Sequence, residues 1–382
     1  MWRPPAWFAV AVVAAGSAFA AAPVGGPEWQ ELRYGAWGGP GVNPIPGPMD
    51  AILLKDFAPK SSVVSAETRV EKAKYPAIDV HTHILAKTPE EVAEWVKTMD
   101  AVGIELSVVL TGATGESFDR LAELYLKKYP TRFQLYCGLL TAGIDQPDYP
   151  VRAAAELERC YRQGARGVGE ISEKGWGFGK GGEPRNRRLH ADDPRLMLFW
   201  QRCAELKIPV VFHASDHPSN WQPLDVYQER TADFQHYNQF GKDVPSYEEL
   251  LAMRNRVLAK NPRTTFIVCH LGNQGNDLAA LSQVMEQYPN MYLDLSARDY
   301  EIGRTPRAAV KFLTKYRHRV LFGTDMGREP RMFQAWWRLL ETDDEYMPGR
   351  VGWRYSGLDL PAPVLKDLYR DTAKAVLNWK AP

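Results

Sequence analysis

The chain has 382 residues, of which 45% are hydrophobic, and it carries 47 Lys and Arg against 46 Asp and Glu. Length and hydrophobic content of this order allow a large core in one or two domains, which excludes a disordered or fibrous chain. The net charge of +1 creates no long-range field for nucleic acid or an anionic membrane. We therefore expect a small-molecule substrate as the partner, and no nucleic acid.

The first 20 residues have the pattern of a secretory signal peptide. A positive start at Arg3 is followed by an apolar run and by the small-x-small ending Ala18-Phe19-Ala20. A membrane anchor is the alternative, but the run is shorter than the roughly 20 apolar residues that a spanning helix needs. We expect cleavage of residues 1–20, a secreted or periplasmic protein, and no stable membrane insertion after the signal is removed.

The rest of the chain falls into two parts. Residues 21–75 are rich in Gly, Pro and Trp with little periodicity, which predicts an irregular N-terminal segment. In residues 76–382, short apolar runs alternate with amphipathic helical stretches, the pattern of repeated βα units. Eight strands are predicted, at 77–83, 106–112, 133–139, 165–172, 209–215, 264–272, 291–297 and 320–327. Eight right-handed parallel connections predict an α/β fold, a (β/α)8 TIM barrel.

Four histidines and two acids stand at the ends of five of these strands. They are, in chain order, His81, His83, Glu170, His213, His270 and Asp325. Carboxyl ends of strands meet at one mouth of such a barrel, and an H-x-H pair on a strand projects both imidazoles to the same side. Imidazole and carboxylate are the ligands of a divalent metal that must keep a position open for water. The pattern predicts a metal centre at the mouth.

The cysteines form no C-x-x-C metal or redox motif. Cys137 and Cys269 lie in predicted strands, and Cys160 and Cys203 in predicted helices. We interpret all four as buried thiols. In an oxidising compartment one disulfide could form, but the sequence does not assign its pairing.

The segments IDVHTH, GVGEI, VVFHA, VCHLG and LFGTDMG, in this order, resemble the amidohydrolase superfamily over about residues 75–380. More narrowly, they are similar to the amidohydrolase-related branch (family 2), which contains decarboxylases of aromatic and unsaturated acids as well as lactonases. The ordered set is specific to the superfamily and far less specific to one reaction. The resemblance implies one or two divalent ions, with zinc expected and manganese, iron or cobalt open.

The resemblance also implies ligand roles. His81, His83 and Asp325 would bind the first ion, with His213 completing that sphere in mononuclear members. In binuclear members Glu170 would bridge two ions, and His213 and His270 would hold the second. Alternatively, Glu170 would not bind a metal ion itself and would orient a ligand histidine by a hydrogen bond to its second ring nitrogen.

Two of these residues are also the candidate catalytic groups. A divalent ion lowers the pKa of bound water to about 7 and polarises a carbonyl, and Asp325 can then act as general base. The alternative for Asp325 is an N-cap of the following helix. His270 would bind the second ion or stabilise an oxyanion in a hydrolase, whereas in decarboxylase-like members it would handle the proton.

Substrate-binding candidates lie on the connections around the mouth. Arg298, after the seventh strand, could meet a substrate carboxylate or form an exposed ion pair. Trp221, on the long connection 216–245, could line a pocket or pack at the surface. His217 could touch substrate or be a solvated loop histidine.

Three functions are consistent with these residues. The first is an exported metal-dependent hydrolase that acts on an amide, ester, lactone or similar bond of a small molecule. The second is a metal-dependent decarboxylase of an aromatic or unsaturated acid. The third is a barrel that has lost its catalytic activity and serves as a binding protein. The complete set of six mouth residues argues against this third function. Fold analogy alone does not fix the reaction.

Overall fold

The structure, a computed structural model, describes residues 48–58, 60–178, 188–225, 228–230, 232–349 and 353–379. The chain divides into a unit that ends at Lys60 and a second unit from Ser61 to Pro382. The described part of the first contains two 3-10 turns, Pro48–Ala51 and Leu54–Asp56. The predicted signal peptide, residues 1–20, lies outside the described residues.

Eight parallel strands of the second unit form one sheet in the order β1 to β8. Their bounds are β1 Ala77–Thr82, β2 Ile104–Leu110, β3 Phe133–Cys137, β4 Ala165–Glu173, β5 Val210–Ala214, β6 Phe266–Val268, β7 Met291–Asp294 and β8 Val320–Leu321. A short antiparallel pair, β9 Met347–Pro348 and β10 Arg354–Tyr355, follows. The predicted (β/α)8 barrel is confirmed.

Helices lie between the strands and after them. They are α1 Pro89–Val102, α2 Gly115–Leu126, α3 Tyr149–Arg162, α4 Met197–Glu205, α5 Tyr247–Lys260, α6 Leu278–Gln287, α7 Asp299–Arg304, α8 Pro306–Lys315, α9 Pro330–Glu341, α10 Ala362–Lys366 and α11 Thr372–Val376. A π-helical turn, Asp367–Asp371, joins α10 to α11. Among the residues described, no helix is both long and apolar enough to cross a membrane.

The seam between β8 and β1 is closed by backbone hydrogen bonds and by one side chain, that of Asp79. Asp79 on β1 accepts hydrogen bonds from the backbone N of Thr324 at 3.0 Å, from Thr324 Oγ1 at 2.7 Å and from the backbone N of His81 at 3.1 Å. The backbone N of Asp325 donates to His81 O at 2.9 Å across the same seam. Asp79 therefore fixes the strand that carries His81 against the segment that carries Asp325.

The buried core has two layers, as expected of parallel strands that are covered on both faces. Alternate residues of the strands fill the barrel interior, and among them are Ile78, Val80, Val211, Ile267 and Cys269. The residues between pack outward against the helices. The barrel interior is thus a packed apolar floor beneath the carboxyl ends of the strands.

Candidate metal centre

All six residues predicted at the strand ends lie together at the mouth of the barrel. His81, Glu170 and His213 are still within β1, β4 and β5. His83 is the first residue after β1, whereas His270 and Asp325 follow β6 and β8 by a few residues. The exposed fraction of the His81 side chain is 0% and that of His83 is 43%, so the cluster extends from the barrel interior to solvent.

Glu170 is at the centre of the cluster. Its Oε1 lies 2.5 Å from His213 Nδ1, 3.3 Å from His270 Nε2 and 3.9 Å from His81 Nε2. Its Oε2 lies 3.9 Å from His83 Nε2. One carboxylate therefore faces all four histidines, one oxygen toward each side of the cluster.

His81 is oriented to offer a free nitrogen lone pair. Its Nδ1 lies 2.9 Å from Asp294 Oδ2, and both side chains are fully buried. Since a carboxylate accepts, Nδ1 carries a hydrogen, and Nε2 is the atom that offers a lone pair to an ion once the second proton has left the ring. Nε2 is buried and has no hydrogen-bond partner among the described residues. A buried unpaired acceptor is costly, and a metal ion would satisfy it.

His270 and His213 are fixed in the same way from behind. His270 Nδ1 donates to the carbonyl O of Ser296 at 2.9 Å, which leaves Nε2 facing Glu170. His213 Nε2 lies 3.2 Å from Asp216 Oδ1, which leaves Nδ1 facing Glu170 and His270 Nε2, the latter at 3.1 Å. Each ring thus presents one defined nitrogen to the centre.

Asp325 closes the outer side of the cluster. Its Oδ1 lies 3.0 Å from His83 Nε2 and 3.6 Å from His81 Nε2. Its φ of 50° is left-handed, an uncommon conformation for a residue other than glycine. Gly323 gives the seam the room that it needs, because a Cβ there would lie 2.9 Å from His81 Cβ.

The electrostatics of the cluster favour a cation. Burial disfavours protonation of His81, but the charges of Asp294, Asp325 and Glu170 outweigh it and raise its pKa to about 10. Burial likewise opposes ionisation of Asp325 and Glu170, yet their pKa values fall well below the usual range because histidines surround them. A divalent ion supplies the positive charge that this arrangement calls for.

The donor atoms fit three overlapping ligand groups. Glu170, His213, Cys269 and His270 form one, with all four donor atoms within 4.8 Å of one another. His81, His83 and Glu170 form another, and His81 with His270 and Asp325 a third, at the same spacing. Glu170 belongs to the first two groups, as a bridging carboxylate would.

The predicted substrate-binding residues lie in different places. Arg298 is buried and donates to Asn273 Oδ1, and Asn273 in turn donates to the carbonyl O atoms of Ala214 and Ser215, next to His213. Trp221 donates from its Nε1 to Pro245 O at 2.9 Å, and the centre of its ring lies 6.0 Å from that of Tyr247.

His217 is buried, so it is not the solvated loop histidine that the sequence allowed. It is 4% exposed, and its Nε2 lies 3.5 Å from Glu301 Oε1. Burial and the charges of Arg230 and Arg298 lower its pKa to about 2, so it is neutral. It belongs to a buried polar group beside the mouth.

Sequence reasoning missed the residues behind the histidines. Asp294 ends β7 as the ligands end their strands, so the same strand-end signal marks it. Asp216 and Ser296 lie in connections, where the sequence carries no signal of this kind. All four cysteines are buried free thiols, as predicted.

The fold and the cluster define a class of protein: a (β/α)8 barrel with a candidate divalent-metal centre at its mouth. The family model described as amidohydrolase matches residues 78–379, so the chain belongs to this family. Comparison with curated proteins gives no match.

Solved structures of the same fold share little sequence with the chain. A crystal structure of 2,6-dihydroxybenzoate decarboxylase from Rhizobium is 17% identical with a TM-score of 0.51, over 80% of this chain and 99% of that one. A putative amidohydrolase from Staphylococcus aureus is 14% identical with a TM-score of 0.50, over 79% and 99%. The 5-carboxyvanillate decarboxylase of Novosphingobium aromaticivorans, complexed with manganese and 4-hydroxy-3-methoxy-5-nitrobenzoic acid, is 14% identical with a TM-score of 0.50, over 82% and 100%. At these identities the likeness is one of fold.

Proposed function

We propose that the protein is a metal-dependent hydrolase that acts on an amide, ester, lactone or similar bond of a small molecule. The observation that carries the proposal is the position of Glu170 among four histidines, three of which are held by a partner behind them so that one ring nitrogen faces the centre. Divalent ions held there supply an acidified water and polarise a substrate carbonyl. Zinc is the expected metal, with manganese, iron or cobalt as alternatives.

Asp325 is the proposed general base. Its low pKa keeps it ionised, and it is 27% exposed, so a substrate and water can reach it. Oδ1 contacts His83 Nε2, which leaves Oδ2 to accept a proton from water and to return it to the leaving group.

His270 is proposed as a ligand. Its Nδ1–H is committed to Ser296 O, and burial, followed by charge repulsion from His213, lowers its pKa to about 4. Nε2 therefore offers a lone pair and no proton, which suits a metal ion better than a developing oxyanion.

The alternative is a metal-dependent decarboxylase of an aromatic or unsaturated acid. Two of the structures above are of decarboxylases, although at 14% and 17% identity their likeness supports only the fold. A buried cation, Arg298, near the histidines is a suitable partner for a substrate carboxylate. The two reactions differ in product: turnover in ¹⁸O-labelled water labels the product of hydrolysis, whereas decarboxylation releases CO₂.

The first test is metal stoichiometry by elemental analysis of the wild type and Glu170→Gln, with Glu123→Gln on α2 as an exposed control. Two ions in the wild type and control that fall to one in Glu170→Gln support a bridged centre. One ion in every protein removes the bridging role and favours the decarboxylase or a mononuclear hydrolase. No ion after reconstitution contradicts both functions.

A second test concerns the ligands directly. We expect His81→Ala and Asp325→Asn to abolish turnover while circular dichroism stays that of the wild type, because both side chains serve the centre. Full activity in either variant would contradict the proposed site.

We also propose that the protein is exported, on the strength of the sequence pattern in residues 1–20. N-terminal sequencing of protein recovered from the periplasm or medium should then begin just after Ala20. Recovery of the intact chain from the cytoplasm alone would contradict export.

A further inference from the structure

Cys269 lies on the floor of the metal centre. Its side chain is fully buried and belongs to the inward-facing residues of the barrel, one layer above Ile267. Its Sγ lies 3.5 Å from Glu170 Oε1, the oxygen that also faces His213 and His270. Sulfur is thus the third donor atom within 3.5 Å of this oxygen.

The backbone after β6 brings Cys269 and His270 to the same centre. Neighbouring residues of a strand normally point to opposite faces, so an extended chain would direct only one of them inward. Here His270 and Leu271 have φ values of 59° and 50°, which end the strand and turn the His270 ring back over the mouth. Left-handed conformations at such residues are costly and persist where the surroundings fix them, often at functional sites.

The spacing of the donors fits a small tetrahedral ion. Zinc bonds of roughly 2.0–2.3 Å place neighbouring tetrahedral donors about 3.3–3.6 Å apart. The separations here are 3.5 Å from Cys269 Sγ to Glu170 Oε1, 3.3 Å from His270 Nε2 to the same oxygen, and 3.1 Å between His270 Nε2 and His213 Nδ1. The 2.5 Å between His213 Nδ1 and Glu170 Oε1 is a hydrogen-bond distance, which has to open by about 0.8 Å before all four donors share one coordination sphere.

We propose that Cys269 is a thiolate ligand of the ion bound by Glu170, His213 and His270. The proposal rests on the metal centre of the proposed function and adds a soft donor to it. As the metal–sulfur bond forms, the Sγ–H bond breaks and the proton passes to solvent. A thiolate selects zinc or cobalt over manganese or magnesium at this position, since the latter prefer oxygen. The group of His81, His83 and Asp325, without sulfur, lacks this selectivity.

The experiment detects the metal–sulfur bond directly and does not depend on enzyme activity. Full-length metal-free protein is titrated with Co²⁺ or Cd²⁺, and the near-ultraviolet sulfur-to-metal charge-transfer band is recorded. Cys269→Ser is compared with the wild type and with Cys137→Ser, another fully buried cysteine on a strand of the same barrel.

The wild type and Cys137→Ser should develop the band, and Cys269→Ser should not. Cys269→Ser should also bind one ion more weakly by more than roughly tenfold, the lower bound for residues that merely support a ligand. Should Cys269→Ser fail to fold, X-ray absorption of the zinc-loaded wild type decides the question, because a thiolate ligand scatters at about 2.3 Å.

Ions that bind without a sulfur band or sulfur scattering would overturn the thiolate and leave the proposed function intact. Cys269 would then only donate its Sγ–H to Glu170. A wild type that binds no ion would overturn both.

Discussion

Three of the four ligand histidines of this site are held by a partner on the side away from the centre. Asp294 fixes His81, the carbonyl of Ser296 fixes His270, and Asp216 fixes His213. Such partners select the tautomer and raise the basicity of the ligand nitrogen. The partners should therefore matter for metal affinity nearly as much as the ligands do.

Asp294→Asn tests this at a single residue. The amide keeps the volume of the side chain but removes the negative charge behind His81, so metal affinity should fall by about 10–100-fold. Competition with a chromogenic chelator measures the change, and Asp145→Asn, on an exposed side chain, is the control. Equal affinities in both variants would mean that Asp294 does not support the ligand.

The ligands could be predicted from sequence because each lies where an apolar strand ends, and parallel strands of a barrel bring their ends together. Asp294 also stands at the end of a strand. A single carboxylate at such a position is a weak signal, because the sequence does not show that it contacts His81. The sequence predicts Cys269 only as a buried thiol, because it lies in a predicted strand and in no C-x-x-C motif. Only the side-chain packing of the structure shows that Cys269 lies at the edge of the apolar core, with its Sγ against the Glu170 carboxylate.

At the scale of elements, the strands and helices follow the sequence pattern closely, and the differences lie where the chain turns. The strand predicted at 264–272 ends at Val268, because His270 and Leu271 are left-handed. Helix α7 was not predicted, since Asp299–Arg304 is too short to show a helical period. The sequence predicts one continuous helix over 362–379, whereas the structure has a π-helical turn at Asp367–Asp371 within this range, for which the sequence gives no sign.

Asp344 fastens the segment before β1 to the end of α9. It accepts from the backbone N and Oγ1 of Thr68, each at 2.7 Å, and from Arg338 Nε at 2.6 Å. Burial disfavours the carboxylate, but these hydrogen bonds outweigh it and hold the pKa of Asp344 below its usual value. The ionised carboxylate is therefore the form that stabilises this contact.

Asp344→Asn should lower the free energy of unfolding by about 2 kcal/mol at neutral pH, since charged hydrogen bonds are lost. Because the folded-state pKa is lowered, the wild type has this stabilisation above the unfolded pKa of about 3.9 and loses it as the pH falls further. Urea unfolding at pH 7 and at acid pH should thus show the gap between variant and wild type closing in acid. A gap that stayed constant would contradict the role of the charge.

For the whole molecule, metal and stability should be linked. Six side chains from five strands converge on the centre, so an ion bound there favours the folded barrel over the unfolded chain. At a free-metal concentration of 100 times Kd the expected gain is about 2.7 kcal/mol.

Chelation should therefore lower the Tm by several degrees, given roughly 2–4 °C for each kcal/mol in domains somewhat smaller than this one. Thermal unfolding with chelator, and again after zinc is restored, measures the shift. His81→Ala is the matched control, and its Tm should respond far less to either treatment. An unchanged wild-type Tm would mean that the ion contributes nothing to the fold.

The seam between β8 and β1 has a consequence for how the protein is made. His81 belongs to the first strand of the barrel, whereas Asp325 follows the last, and Asp79 joins the two. A growing chain lacks Asp325 until nearly the whole barrel has left the ribosome, so no nascent fragment holds the complete donor set. The ion that Asp325 helps to hold can therefore be bound only late in biogenesis, whereas the donors Glu170, His213, Cys269 and His270 are all present once the turn after β6 has been synthesised.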